Sequence, residues 1–162
     1  MTSLGWHLMP VYALGDRTPS IDPSAYVHPD AVVIGDVVIA EEASIWPGAV
    51  LRGDYGRIEI GPRTSIQDGT VIHATPEHPT IVHGDCVVGH IVHLEGCTVG
   101  PHALVGSGSA VLHRAVVHPD AIVGANAVVG NGVEVPSRAL ALGVPAKMRL
   151  DAVKPGQIDR VV

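Results

Sequence analysis

From Ile21 onward an aliphatic residue returns at every sixth position almost to the end of the chain. The series is Ile21, Val27, Val33, Ile39, Ile45 and Leu51, then Ile60, Ile66 and Ile72, then Ile81 and Val87. After one lapse it resumes as Val99, Val105, Val111, Val117, Val123, Val129 and Val135. A small residue follows most of these by four positions, among them Ala31, Ala43, Ala49, Thr64, Thr70, Cys97, Ala103 and Ser109. A short fixed period marks a repeat architecture, and a six-residue period belongs to the parallel β-helix. Strand side chains alternate, so the aliphatic residue and the small residue two before it share the inward face. Three hexads, each a short strand and a corner, close one triangular coil, with successive coils about 4.8 Å apart.

The spacing therefore predicts an all-β chain forming one domain over residues 1–162. Residues 1–10 are an irregular N-terminus, 11–142 the β-helix and 143–162 a C-terminal segment. In that segment Ala146 to Val153 is expected to form a short helix, ended by Pro155-Gly156. The absence of Phe and the 19 Gly and 13 Pro suit tight corners rather than disorder, because the aliphatic positions are filled periodically. A net charge of −6 with scattered cations offers no basic stripe, which argues against a nucleic-acid partner. No apolar run reaches the length of a membrane span, and the N-terminus has no secretion-signal pattern. Two cysteines, Cys86 and Cys97, are too few for a disulfide framework, so a cytoplasmic location is expected.

The period breaks twice. Leu51 to Ile60 and Ile72 to Ile81 are each nine residues apart rather than six. Two three-residue insertions one coil apart predict loops emerging from a regular scaffold, which is where solenoids carry function. The first contains Arg52, Gly53, Asp54 and Tyr55; the second opens with His73 and contains Glu77 and His78.

Ten histidines are present, seven of them between His73 and His113. His28 and His118 fall on outward positions, and His83, His102 and His113 at corners, where solvation explains them. His7 and His78 lie outside the regular coil. His93 occupies an aliphatic slot, an expensive place for an imidazole without a partner. His73 falls one coil below Leu94 and near Glu95. His90 and Glu95 are five residues apart, so at ~3.3 Å per residue their backbones stand ~16 Å apart, too far to hold one metal ion from one chain. A shared site needs His90 of one copy to meet His73 and Glu95 of another, most simply in a homotrimer.

The run from Ser44 to His73, SIWPGAVLRGDYGRIEIGPRTSIQDGTVIH, resembles the γ-class carbonic anhydrase family. So does VGHIVHLEGCTVG, from Val88 to Gly100, followed by hexads ending in ALGVPAK. The likeness extends over roughly residues 11 to 148. It implies a left-handed β-helix, a homotrimer and a metal ion (zinc, with iron or cobalt as alternatives) between subunits. The family's three metal-binding histidines match His73, His90 and, with a change of residue, Glu95. His93 is either a replacement ligand or a partner that supports Glu95. Arg52 and Asp54 match an interface ion pair, Gln67 the polar residue beside the reactive water, and Asp68 the carboxylate after it. Ser65 stands where the family often has Asn, and Tyr55 and Pro76 stand where one branch carries acidic proton-shuttle residues.

The activity implied is reversible hydration of carbon dioxide, with carbon dioxide or bicarbonate as the small-molecule substrate. Two alternatives stand beside it. One is a coenzyme A-dependent hexapeptide acyltransferase or thioesterase, with His78 as base. The other is a non-catalytic, metal-binding trimeric scaffold. Gly106 to Ser109, GSGS, lies inside a regular hexad with no helix signal after it, so it is not a phosphate loop.

Overall fold

The computed structural model describes residues 10–159. The irregular N-terminus expected over residues 1–10, with His7, lies almost entirely outside the described residues. The rest winds through about seven turns as a left-handed parallel β-helix with three faces.

The first face stacks Val11–Tyr12, the start of Val32–Ile39, the start of Val50–Ile60, then Val71–His73, His93–Glu95, Ala110–Val111 and Val128–Val129. The second carries Ser20–Ile21, the far ends of the same two long strands, then Thr80–Val82, Thr98–Val99, Val116–Val117 and Glu134–Val135. The third runs from Tyr26–Val27 through Ser44–Ile45, Ser65–Ile66, Val87–Val88, Leu104–Val105 and Ile122–Val123 to Leu140–Leu142. Ladder pairing sets Val33, Leu51, Ile72, Leu94, Val111 and Val129 in one column, all fully buried. Each such aliphatic side chain contributes about 1.5–3 kcal/mol when taken out of water. The small positions, such as Ala31, Ala49, Ala103 and Ala121, are equally buried and let the coil close tightly.

Corners depend on left-handed backbone. Glu42, Arg63, Asp85, His102, Arg114, Asp120, Asn126 and Arg138 all have φ between 52° and 62°. Ile91 joins them at φ 50°, although a β-branched side chain is strained there.

Both insertions leave the prism where the spacing predicts. The first is a bulge inside Val50–Ile60: Gly35 pairs with Gly53, but the next ladder pair is Val37 with Ile58. The second lies between Val71–His73 and Thr80–Val82. A Cβ on Gly56 would come within 2.1 Å of the Thr75 carbonyl oxygen, so glycine is what lets the two inserted segments meet backbone to backbone.

Two expectations are corrected. The inward residues after the second insertion are Val82, Val88 and Leu94, one place later than Ile81, Val87 and His93. The second insertion is one residue longer than the spacing suggests, and the phase is recovered by a five-residue step from Leu94 to Val99. Leu94 thus fills the core and His93 projects outward, its side chain 41% exposed. The expected helix from Ala146 to Val153 is also absent. Lys147–Arg149 instead returns antiparallel along Leu140–Leu142, covering a strand edge that would otherwise present unpaired backbone groups.

Beyond that return, Val153 and Ile158 bury against Ile122, packed with Leu104 and Leu140. His102, expected to be simply solvated, clasps this segment: Nδ1 lies 2.7 Å from Asp120 Oδ1 and Nε2 2.6 Å from Asp159 Oδ1. The hydrogen bond to Asp120 raises the His102 pKa above the ordinary imidazole value, burial opposes it, and Asp159 raises it further.

The corrected phase predicts that Leu94→Ala lowers stability by about 2–5 kcal/mol, whereas His93→Ala changes it by under about 1 kcal/mol. Urea denaturation of the two variants measures the order. A raised histidine pKa stabilises fully below the ordinary value near 6.5 and loses that contribution as pH rises through the folded value. Amide protection in residues 150–159, corrected for the intrinsic rise of exchange with pH, is therefore expected to fall on the alkaline side, and His102→Gln to remove this pH dependence.

Candidate functional site

The expected site residues separate into two groups on one chain. In the first group, ladder pairing puts Arg52 beside His73 and His73 beside Glu95, on three successive coils of the first face. His73 sits between two carboxylates: Nδ1 is 3.0 Å from Glu95 Oε1 and Nε2 is 2.9 Å from Asp54 Oδ1. Arg52 donates a short hydrogen bond to Asp54, and Arg17 donates another to the Asp54 carbonyl. The first insertion positions this ion pair, because the bulge after Gly53 carries Asp54 out of the ladder.

Electrostatics follow from these contacts. Burial pushes the Asp54 carboxyl up, but hydrogen bonds from His73 and Arg52 and the arginine's charge together hold it below the usual range. Glu95 is also lowered, chiefly by its hydrogen bond to His73, with burial opposing and His93 and His113 adding to the effect.

In the second group are Gln67, Asp68 and His90, at the corner between the third and first faces. His90 Nδ1 lies 3.0 Å from Asp68 Oδ2, one coil below, and the imidazole is 56% exposed. Gln67 and His90 border two shallow clefts. One, of about 190 Å³, extends to Leu104 and Ser107; the other, of about 260 Å³, extends to Trp46 and Ser65. His90 and Glu95 occupy opposite corners of the first face, and among the described residues of one chain no three His, Cys, Asp or Glu side chains are arranged to hold a metal ion.

Of the surroundings of Glu95, the sequence offers His73 and His93 as neighbours but not His113. His93 Nε2 is 3.1 Å from Glu95 Oε2, and His113 Nε2 is 3.7 Å from Oε1. The His113 ring in turn packs edge-on against His78, with centroids 5.8 Å apart. Gly96 makes room for them: with φ 61°, a Cβ there would meet His113 at 2.7 Å and His78 at 2.8 Å. Placing Leu94 rather than His93 in the core would have revealed this, since it aligns His73, Glu95 and the His113 corner on adjacent coils. Neither Tyr55, 65% exposed, nor Glu77 enters the cluster. A separate cleft of about 260 Å³ lies under the C-terminal segment beside His102, Arg138 and Lys154, away from both groups.

A three-faced hexapeptide-repeat β-helix, carrying an Arg-Asp-His group at one corner and a Gln-Asp-His group at another, defines the class. Comparison with known proteins narrows it. The chain is 40% identical over 140 residues to the carnitine operon protein CaiE of Salmonella agona, covering 86% of this chain and 71% of that one. It is 40% identical over 138 residues to the mitochondrial gamma carbonic anhydrase 2 of Arabidopsis thaliana, covering 82% of this chain and 50% of that one. The crystal structure of a hexapeptide transferase family protein from Anaplasma phagocytophilum superposes with a TM-score of 0.88 at 37% identity, covering 94% and 90% of the two chains. No family model matches the chain. The chain belongs to the γ-carbonic-anhydrase-like hexapeptide-repeat family.

Because His73 is the largest influence lowering Glu95, His73→Ala is expected to move the Glu95 carboxyl up toward the ordinary glutamate value near 4.3. Carboxyl ¹³C chemical shifts followed through an acid titration read this directly.

Proposed function

We propose that the protein catalyses reversible hydration of carbon dioxide at a metal ion held between copies of the chain. Zinc is the expected ion, with iron or cobalt as alternatives. His73 and Glu95 come from one copy and His90 from the next, in a homotrimer. The observation that carries this reading is the split donor set. His73 and Glu95 stand 3.0 Å apart, while His90 sits at another corner with Nδ1 committed to Asp68. Two imidazoles and a carboxylate form a donor set used by catalytic zinc sites. The hydrogen bonds to Asp54 and Asp68 resemble the carboxylate–histidine pairs that orient metal-binding imidazoles. Ile91, next to His90, is 68% exposed in a strained conformation, and Val71 is 39% exposed near it. An apolar edge beside an incomplete donor set is what a second copy would cover.

When bound, the ion supplies the Lewis acidity that lets water lose a proton near neutral pH. The chain's own residues do the rest. Asp68 fixes the ring of His90, leaving Nε2 as its donor atom. Asp54, neutralised by Arg52, fixes the ring of His73. Gln67, beside His90 in both clefts, orients carbon dioxide or bicarbonate through its side-chain amide. Two buried free cysteines suit a reducing compartment, and we place the protein in the cytoplasm. Burial pushes their thiols up to about 11 for Cys86 and about 12 for Cys97. Among the described residues no helix is long and apolar enough to cross a membrane.

Acyl transfer or thioester hydrolysis with coenzyme A is the second reading, favoured by the likeness to the hexapeptide transferase family structure and by the clefts beside His90. Its proposed base, His78, packs against His113 instead of lining those clefts. Under a third reading the trimer binds metal without turnover.

His73→Ala and His90→Ala are each expected to abolish metal binding, measured by elemental analysis, while leaving the circular dichroism unchanged. Stopped-flow carbon dioxide hydration should fall at least about 100-fold in both. Arg52→Ala or Asp54→Ala is expected to shift the assembly toward monomers in sedimentation velocity at low concentration. Full metal occupancy without either histidine overturns the site. Metal-loaded protein that cleaves coenzyme A thioesters and leaves carbon dioxide unhydrated supports the second reading; if it does neither, the third holds.

A further inference from the structure

Resting on the metal-site reading above, we propose that His93 is a positioning residue that makes Glu95 usable as a ligand in a place suited to an imidazole. A neutral imidazole offers a metal one donor atom; a carboxylate offers two oxygens and a full negative charge. Left free, Glu95 could chelate through both oxygens, and its charge would weaken the Lewis acidity of the ion. Oε2 is held by His93 Nε2 at 3.1 Å, and Oε1 faces His73 Nδ1 at 3.0 Å. With Oε2 engaged by a ring N–H, Glu95 presents a single donor atom on the side of His73, and the hydrogen bond draws charge from the carboxylate.

The backbone builds this pairing in. His93 and Glu95 are alternate residues of one three-residue strand, so both project from the outer face while Leu94 enters the core. Ladder bonds to the coils below and above fix the strand, with His93 paired to Val71 and Ala110. The two side chains are therefore neighbours whatever their rotamers. The same register argues against His93 as a ligand. Glu95 pairs directly with His73, whereas His93 pairs with Val71, two residues earlier. His93 is also the most exposed of the three, at 41% against 25% for Glu95 and 14% for His73.

The test uses cobalt(II) as a spectroscopic probe on the full chain, comparing wild type, His93→Ala and His93→Gln. Affinity is read by chelator competition and coordination by visible absorption, with circular dichroism as a folding control. His93→Ala is expected to bind cobalt(II) about 10–100-fold more weakly with an altered spectrum. His93→Gln, whose side-chain amide can still donate to Oε2, should recover most of the affinity and the wild-type spectrum. Unchanged affinity and spectrum in His93→Ala overturn the proposal. Equal loss in both variants, with a spectrum reporting one fewer nitrogen donor, makes His93 a ligand and also overturns it. If His93→Ala fails to fold, His93→Gln alone decides: wild-type binding supports the role and lost binding refutes it. Wild-type protein that binds no cobalt(II) defeats the metal-site reading itself, and this proposal with it.

Discussion

Each coil of this solenoid can bury its Val, Ile and Leu only against the coil below and the coil above. Leu94 has to stand over Ile72 and under Val111, whatever lies between them in sequence. The Asp54 and His73 side of the candidate site is a perturbation that this stacking tolerates. The bulge after Gly53 displaces Asp54 sideways and rejoins the ladder at Ile58. The second insertion adds residues after His73, and a shortened step after Leu94 restores the column. Because the core column is rigid, the outward side chains around those departures are placed with little freedom. His73, Glu95 and His93 keep company because the aliphatic residues beneath them do.

The six-residue period was enough to recover the coils, the three faces and both insertions, because a repeat dictates orientation independently of detail. It failed where two apolar β-branched residues are adjacent. Ile81-Val82 and Val87-Val88 fit either phase equally, and only the polar-apolar pair His93-Leu94 could have discriminated. An imidazole in the core beside an outward leucine is the costlier arrangement, and that cost fixes the phase where spacing alone does not. The C-terminal segment misled differently. Ala146 to Val153 has the composition for a helical turn, yet the exposed edge of Leu140–Leu142 offers backbone hydrogen bonds that a solitary short helix cannot match.

The partition of the candidate site was legible for a related reason. His90 lies in the turn before the strand His93–Glu95 and Glu95 at its far end, so a straight ladder keeps the two apart. Resemblance pairs Arg52 with Asp54, and register together with the bulge adds His73 to that pair. His113 beside Glu95, and His78 packed on it, are not visible to linear inspection, because His113 belongs to the next coil and His78 to an irregular loop. Their proximity depends on Gly96, whose missing side chain leaves room for the His113 ring and the Cβ of His78.

The antiparallel return at Lys147–Arg149 has a consequence for assembly. It occupies the outermost edge of the third face, while Gly143 and Ala146 engage the backbone of Val128 on the first. Among the described residues Lys147–Arg149 is thus the outermost strand of the third face, and it runs antiparallel to the coils beneath it. An identical prism stacked end to end at this pole would meet an antiparallel strand instead of a parallel coil, so another copy cannot simply continue the ladder.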